Sequence, residues 1–277
     1  MARKPNDYKN AVKPIWCPGC GDYAVHAALM RAFADLDLAP ENIIVASGIG
    51  CSSRMPGFFS TYGFHGIHGR VLPLATGIKL SQPDKTVIAV GGDGDGFSIG
   101  GGHVPHAARR NIEIAYIMMD NSIYGMTKGQ ASPTSPRGTK QAASPYGTVE
   151  DPLNPLLLAL AYNTTFVARA FSGALKEMVE IFKQALQHPG FAFVQVLSPC
   201  VSFFNTYDLY RENTAPLPDN HDPTDMMAAM QLAQSESPLY LGIFRRVIRP
   251  GYSQQMAELQ QGVPNIPPAE LLERYKR

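Results

Sequence analysis

Short apolar runs alternate along this chain with stripes of helical period. The clearest stripe is Leu175, Met178, Val179, Phe182 and Leu186, at i, i+3, i+4, i+7 and i+11. That spacing predicts a helix over 173–187 with one buried face. A helix over 21–37 is expected to turn Tyr23, Ala27, Met30 and Phe33 to one side. Residues 71–80 also read as helix, because Pro73 falls in the first turn, where proline is tolerated. A glycine-softened helix over 97–110 and another over 153–162 complete the set. The runs at 42–47, 86–90, 112–119, 165–169 and 191–197 are too short for helices and read as buried strands. Strands alternating with helices imply an α/β fold, a parallel sheet with helices on both faces. Residues 127–150, rich in Pro, Ser, Thr and Gly, read as a loop. Beyond residue 205 the pattern changes. A Pro- and Asn-rich stretch at 213–223 precedes a helix over 224–235, an edge strand over 240–248 and a polar tail. The chain therefore divides into a domain of residues 1–205 and a C-terminal extension of 206–277. That extension either wraps a partner or neighbouring subunit, or forms a peripheral lobe of the same domain.

In parallel sheets, ligands sit beyond the carboxyl ends of the strands. The chemically distinctive residues fall there. Cys51 closes Gly48-Ile49-Gly50 after the first predicted strand, and Gly92-Asp93-Gly94 follows the second. Asn121 follows the third, and Cys200 follows the run ending near 197. Glycine lets backbone N–H groups come close to an anion. An acid on such a loop can hold Mg²⁺, which bridges to phosphate oxygens. Asp93 is the candidate acid. Asn121, one strand–helix–strand step later, supplies an amide oxygen. The pair reads as a diphosphate–Mg²⁺ site.

Cys17, Cys20, Cys51 and Cys200 are the only cysteines, separated by 2, 30 and 148 residues. Two close thiols define one side of a metal site, and two distant ones close it once the strand ends meet. Such a set suits an iron–sulfur cluster or zinc. Trp16, just before the first, either shields the site or belongs to ordinary core.

Charged residues make up 17% of the 277, below the usual quarter, so part of the surface is expected to be covered by a partner. A net charge of +1 argues for neither nucleic acid nor a membrane surface. No apolar run reaches the roughly 18 residues of a membrane span. Residues 1–8 carry no apolar signal region. A cytoplasmic location follows, where Cys-x-x-Cys is more often metal-binding or redox-active than a structural disulfide.

The stretches WCPGCGD, SGIGCSS, HGIHGRVLPLATGIK, GDGDGFSIGGGHVPHAARRN and DNSIYGMTKGQ together resemble the β subunit of 2-oxoacid:ferredoxin oxidoreductases, most of all the 2-oxoglutarate type. Gly92-Asp93-Gly94 through Asn121 resembles the thiamine diphosphate signature. The resemblance covers about residues 13–210. It implies a thiamine diphosphate-binding fold with bound thiamine diphosphate, Mg²⁺ and one [4Fe–4S] cluster. By that resemblance Asp93, Asn121 and the carbonyl of Ile123 would ligate Mg²⁺. Gly92, Gly94, Asp95, Ser52 and Ser53 would line the diphosphate. Cys51, Tyr124, Gly125, Met126 and Thr127 would surround the cofactor, with Met126 as an apolar wall or as plain packing. His65 and His68 would lie near the cofactor, the alternative being loop packing or capping. Cys17, Cys20, Cys51 and Cys200 would hold the cluster. Residues 129–138 would form a lid or a contact with the α subunit.

The implied reaction is the coenzyme A-dependent oxidative decarboxylation of 2-oxoglutarate to succinyl-CoA and CO₂, with electrons leaving through the cluster to ferredoxin. It is reversible and so able to fix CO₂. The implied partner is an α subunit that brings the pyrimidine-activating glutamate, in an αβ or (αβ)₂ assembly. Arg54 and Lys128 are basic candidates for a substrate's second carboxylate, which an arginine grips in a bidentate fork. Their alternative is the diphosphate or an acid of the α subunit. Pyruvate is the competing substrate. The competing classes are a non-oxidative thiamine enzyme component with structural zinc and a non-catalytic assembly module.

Overall fold

A computed structural model describes residues 2–264 and 266–276. After a 3-10 turn at Pro5–Tyr8, α1 (Asp22–Asp35) leads into β1 (Ile43–Ser47) and β2 (Tyr62–His65). Next come α2 (Val71–Ser81), β3 (Thr86–Gly92), the short α3 (Asp93–Phe97), α4 (Val104–Arg110) and β4 (Ile114–Asp120). A small hairpin of β5 (Ile123–Tyr124) and β6 (Gln130–Ala131) precedes α5 (Pro155–Ala161), β7 (Phe166–Phe171), α6 (Leu175–Leu186) and β8 (Ala192–Leu197). The C-terminal part adds α7 (Tyr207–Asn213), β9 (Thr214–Pro216), α8 (Met226–Ala233), β10 (Leu239–Arg246), α9 (Tyr252–Gln260) and α10 (Pro268–Arg274).

Eight strands pair in the order β2-β1-β3-β4-β8-β7-β10-β9. The first six run parallel, and β10 turns antiparallel to β7. Every residue of β4, β7 and β8 is buried. A parallel sheet covered on both faces requires this, and it explains why those segments read as unbroken apolar runs. Alternate side chains feed two cores. Val45, Ile88, Ile117, Ala168 and Val194 pack on one face with α1 and α6. Ala46, Val87, Tyr116, Val167 and Phe193 pack on the other with α2, α4, α5 and α8. β10 and α8 belong to this second core through Phe244, Ala229 and Ala233, so residues 226–246 are built into the main sheet.

Four expectations need correction. The buried face of α1 is Val25, Ala28, Leu29, Ala32 and Phe33, while Tyr23 is exposed; its hydroxyl donates to the Trp16 carbonyl at 3.1 Å. The helix expected over 97–110 is broken. α3 begins at once at Asp93, and the Gly100-Gly101-Gly102 run interrupts the path to α4. The stretch between Cys51 and His68 contains a strand, β2, whose four residues are all exposed. With no buried face it leaves no alternation to read. β10 is not the edge, because β9 pairs outside it. Pro216 ends that strand, as an edge position permits. Among the described residues, no helix is long and apolar enough to cross a membrane.

Candidate cofactor and cluster sites

β1, β3, β4 and β8 lie side by side in the sheet. The segments that follow them, bearing Cys51, Asp93, Asn121 and Cys200, therefore meet at one edge. A cavity of about 400 Å³ opens there. The loop after β1 contributes Ile49, Gly50, Cys51 and Ser52, and His68 closes one side. Gly92, Asp93, Gly94 and Asp95 form its floor, with Asn121, Ile123, Tyr124, Gly125, Met126, Thr127 and Gln130 opposite.

Asp93 is 1% exposed. Burial, then the nearby Asp120 carboxylate, pushes its carboxyl well above the ordinary range, against hydrogen bonds from Ser132, Thr134 and the Asn121 backbone. A bound cation would reverse that cost, since an adjacent positive charge favours the ionised form. Asn121 Oδ1 accepts from the Ile123 N–H at 3.1 Å, which turns the amide oxygen of this Asx turn toward the loop. The Ile123 carbonyl accepts from Gly125 N–H at 3.0 Å. Each of these oxygens has a second lone pair. An acid, an amide and a carbonyl, all oxygen donors, fit Mg²⁺ completed by phosphate oxygens.

Gly94 is required where it stands. A Cβ there would collide with the Tyr124 ring, and the Tyr124 hydroxyl donates to the Gly94 carbonyl at 3.3 Å. Bare backbone thus forms the cavity floor, the surface a diphosphate needs. Ser52 lines the cavity. Ser53, beside it, is fully buried and its hydroxyl has no hydrogen-bond partner.

Asp95 acts as a clamp. Its Oδ1 accepts from the N–H groups of Ile49 at 2.9 Å and Gly69 at 2.7 Å, and lies 3.1 Å from His68 Nδ1. It ties the loop after β1 to the His68 loop and so shapes the cavity from behind. His65 does not line the cavity. Its Nδ1 is 2.9 Å from Ser47 Oγ and 2.8 Å from the Ser53 carbonyl, fastening the end of β2 to the loop after β1. Lys128 is exposed at a left-handed turn (φ +77°) and is not part of the cavity wall.

A second cavity, of about 230 Å³, is lined by Cys17, Cys20, Cys51 and Cys200 together. Cys20 N–H donates to the Cys17 carbonyl at 3.0 Å, and Gly19 turns the knuckle at φ +84°, a conformation glycine adopts freely. Trp16 is buried, and its Nε1 donates to the Cys51 carbonyl at 2.7 Å. The tryptophan thereby ties the first cysteine segment to the third. Arg54 is exposed on the wall of this cavity, not on that of the larger one. Burial, and then the charge of Asp22, raises the Cys51 thiol to about 11 and the Cys20 thiol further. Metal binding here would displace those protons. Among the described residues, no three His, Cys, Asp or Glu side chains converge on a single-ion position. The four thiols line a cavity of about 230 Å³, and zinc would draw four thiolates to about 2.3 Å. A four-thiol donor set of this kind fits an iron–sulfur cluster or a single soft ion.

The two cavities share a wall of Cys51, Asn121, Gly125 and Met126. Close packing governs that wall, since a side chain at Gly125 would lie 3.3 Å from Cys200 Sγ.

Residues 48–196 match the thiamine pyrophosphate enzyme C-terminal TPP-binding domain. Residues 200–261 match the C-terminal family of the pyruvate ferredoxin oxidoreductase β subunit. The β subunit of 2-oxoacid:ferredoxin oxidoreductase 1 from Aeropyrum pernix is 45% identical over 77% of this chain and 68% of its own length. The chain belongs to the β subunits of the 2-oxoacid:ferredoxin oxidoreductases. The 2-oxoglutarate synthase subunit KorB of Methanocaldococcus jannaschii is 36% identical over 88% of this chain and 92% of its own. A solved 2-oxoglutarate:ferredoxin oxidoreductase from Magnetococcus marinus, with 2-oxoglutarate, coenzyme A and succinyl-CoA bound, is 43% identical. It superposes with a TM-score of 0.95, covering 99% of this chain and 97% of that one.

Other polar residues of this β subunit meet the site without having been expected. Thr134 and Asp120 stand beside Asp93, and Gln195 and Arg169 stand behind Asp120. A signal for the last two was present, because a glutamine and an arginine inside otherwise apolar, fully buried strands are the informative exception to burial. Thr134 gave none, since its loop has no period. Of the remaining histidines, His26 packs against Trp16 and Phe59, His188 Nε2 lies 2.8 Å from Thr165 Oγ1, and His221 Nε2 lies 2.9 Å from the Phe244 carbonyl. All three serve packing.

Proposed function

We propose that this chain is the β subunit of a cytoplasmic 2-oxoglutarate:ferredoxin oxidoreductase. It would convert 2-oxoglutarate and coenzyme A to succinyl-CoA and CO₂, reversibly, passing electrons through a [4Fe–4S] cluster to ferredoxin. The observation that carries this reading is the shared wall. An oxygen-lined cavity fit for a diphosphate and Mg²⁺ abuts a cavity ringed by four cysteines. The named substrates of the KorB relative and of the Magnetococcus enzyme support 2-oxoglutarate.

Thiamine diphosphate, when bound, supplies the chemistry that releases CO₂ from a 2-oxo acid. The chain's own residues do the rest. Asp93, Asn121 and the Ile123 carbonyl hold Mg²⁺, and the bare backbone at Gly92 and Gly94 admits the diphosphate. The Asp95 clamp keeps the two cavity-forming loops in register. Cys17, Cys20, Cys51 and Cys200 hold the cluster, with Trp16 covering one side. Gly125 and Met126 keep the two sites apart by a single layer of chain. Arg54 and Lys128 do not line the cofactor cavity, so the substrate assignment does not rest on them.

The pyrimidine-activating glutamate is assigned to an α subunit, in an αβ or (αβ)₂ assembly. The family matches change over between residues 196 and 200, near the expected boundary at 205, while β10 and α8 continue the same sheet and core; contacts between subunits are assigned to the C-terminal part. Pyruvate is the second reading, favoured by the name of the family matching residues 200–261.

An anaerobic absorption spectrum with iron, sulfide and zinc analysis of the copurified αβ complex tests the proposal. Absorbance near about 400 nm and about four irons per chain are expected, with bleaching by 2-oxoglutarate plus coenzyme A. Bleaching by pyruvate alone would move the substrate and keep the class. A colourless protein with one zinc would sink the redox reading.

A further inference from the structure

A continuous line of buried polar groups crosses the sheet behind the cofactor cavity. It begins at Arg169 in the middle of β7, which is 3% exposed. Its Nε donates to Gln195 Oε1 at 2.9 Å and its Nη1 to the Tyr240 carbonyl of β10 at 3.4 Å. The guanidinium lies over the Phe244 ring, 5.6 Å from its centre. Gln195, on β8, passes the line on, its Nε2 donating to Asp120 Oδ2 at 2.7 Å. Asp120 ends β4, and its Oδ1 accepts from the N–H and the hydroxyl of Ser122 at 3.1 and 3.2 Å. The line closes at Thr134, whose Oγ1 stands 2.7 Å from Asp120 Oδ1 and 2.8 Å from Asp93 Oδ2.

Such a line is costly to bury and persists only when every member is satisfied. Among the described residues Arg169 touches no carboxylate directly, so Asp120, reached through Gln195, is the negative group of its line. Asp120 has donors from Ser122 and Gln195 and does not need the Thr134 hydrogen. A threonine hydroxyl has one hydrogen, and given to Asp93 Oδ2 it joins the donors from Ser132 and the Asn121 backbone in fixing that carboxylate. That bond fixes Oδ2 of an acid that lines the cofactor cavity, and with it the orientation of the carboxylate. Two serines fix the loop that brings Thr134 there. Ser135 Oγ donates to the Ser122 carbonyl at 2.5 Å, and Ser132 N–H donates to Ser135 Oγ at 2.8 Å.

We infer that Thr134, backed by Asp120, Gln195 and Arg169, is a positioning residue that orients Asp93 to ligate Mg²⁺. This rests on the reading that Asp93 holds the metal. It extends that reading to a loop outside the glycine–aspartate–asparagine motif and links the metal site to strand β10 of the C-terminal part.

The test is a Mn²⁺ titration of the intact αβ complex with thiamine diphosphate, followed by electron paramagnetic resonance, beside thermal melting without metal. Thr134→Val keeps the shape and removes the hydroxyl. It is expected to weaken Mn²⁺ binding by about 10–100-fold, the usual effect of losing a hydrogen bond to a ligating group. Thr134→Ser, which restores the hydroxyl, is expected to recover affinity to within about threefold on that same scale. Unchanged Mn²⁺ affinity in Thr134→Val overturns the inference, whatever the melting temperature does. So does equal weakening in the Val and Ser variants. If the Val variant does not assemble, Thr134→Ala is read by the same two criteria. Wild-type complex that binds no Mn²⁺ in the presence of thiamine diphosphate overturns the underlying reading instead, so the two failures are distinct.

Discussion

The two cavities at the carboxyl edge of the sheet are built on different plans. The cofactor side has a frame of buried charges and hydrogen bonds. Asp93, Asp95 and Asp120 are each no more than 3% exposed, and each has named donors. The cysteine side has one such group, Asp22, 2% exposed and accepting from Ser198 Oγ at 3.0 Å. Its knuckle is a backbone turn, its cover is aromatic, and Cys17, Ile15 and Phe203 on its rim are exposed. The difference follows from what each site must do before its ligand arrives. An oxygen site for Mg²⁺ gains little from each bond and must be pre-shaped by the protein. Four thiolates bind so strongly to soft metals that the metal itself completes the geometry.

The largest expected effects come from breaking each plan separately. Asp93→Ala should abolish Mg²⁺-dependent binding of thiamine diphosphate, beyond the about 10–100-fold typical of groups outside the metal shell. Iron content should stay the same. Cys200→Ser should do the reverse, with iron falling well below the about four per chain of an intact cluster while cofactor affinity, read by calorimetry, changes little. If Cys200→Ser also lost the cofactor, the shared wall would be one cooperative unit and the contrast drawn above would fail.

A subtler break uses the floor of the cofactor cavity. Gly94→Ala places a methyl group against the Tyr124 ring, which is held by its own bond to the Gly94 carbonyl. Overpacking of this kind costs about 1–3 kcal/mol. The variant should melt lower and bind thiamine diphosphate weakly, with normal iron. An unchanged melting temperature would show that the Tyr124 ring yields freely.

The same contrast explains what was legible in the sequence. Strands β1, β3, β4, β7 and β8 were readable as short unbroken apolar runs, and helices α1, α2, α5 and α6 as longer apolar-rich stretches, α6 with a clear helical period. Asp93 and Asn121 were readable because the glycines around one and the strand before the other set their spacing. The cysteines needed only counting. The support for Asp93 was hidden. Thr134 lies in an aperiodic loop, and its partnership with Asp120 exists only once that loop folds back over the strand end. β2, α9 and α10 were missed for the opposite reason, since none has a buried residue to leave a pattern. The lateral place of β10 depended on β9, a strand too short to announce itself.

Far from both cavities, burial pushes the His188 imidazole down to about 4. Its ordinary value is near 6.5. The folded state therefore keeps it neutral where the unfolded chain takes up a proton, so its share of stability is intact above about pH 6.5. That share is lost as pH falls toward 4, by at most about 3 kcal/mol. Asp22, raised to about 6 by burial beside the cysteines, acts in the opposite sense over much of that range. Melting curves of His188→Gln should thus fall less steeply than wild type between pH 6.5 and 4. Parallel curves would mean that the imidazole protonates in the folded state without penalty.

The smallest effect is expected where the cysteine side makes its one side-chain hydrogen bond to a cysteine backbone. Trp16 Nε1 donates to the Cys51 carbonyl at 2.7 Å, while the ring packs edge-on at 4.9 Å from Phe58 and 5.2 Å from Tyr23. Trp16→Phe keeps an aromatic ring in that shell and removes the donor, at about 1 kcal/mol for a bond of this type. If the cysteine cavity depends on its metal for geometry, the variant should melt slightly lower and still assemble full iron. If iron content drops in proportion to stability, the tryptophan pre-shapes the thiols, and the cysteine side is built on the same plan as its neighbour.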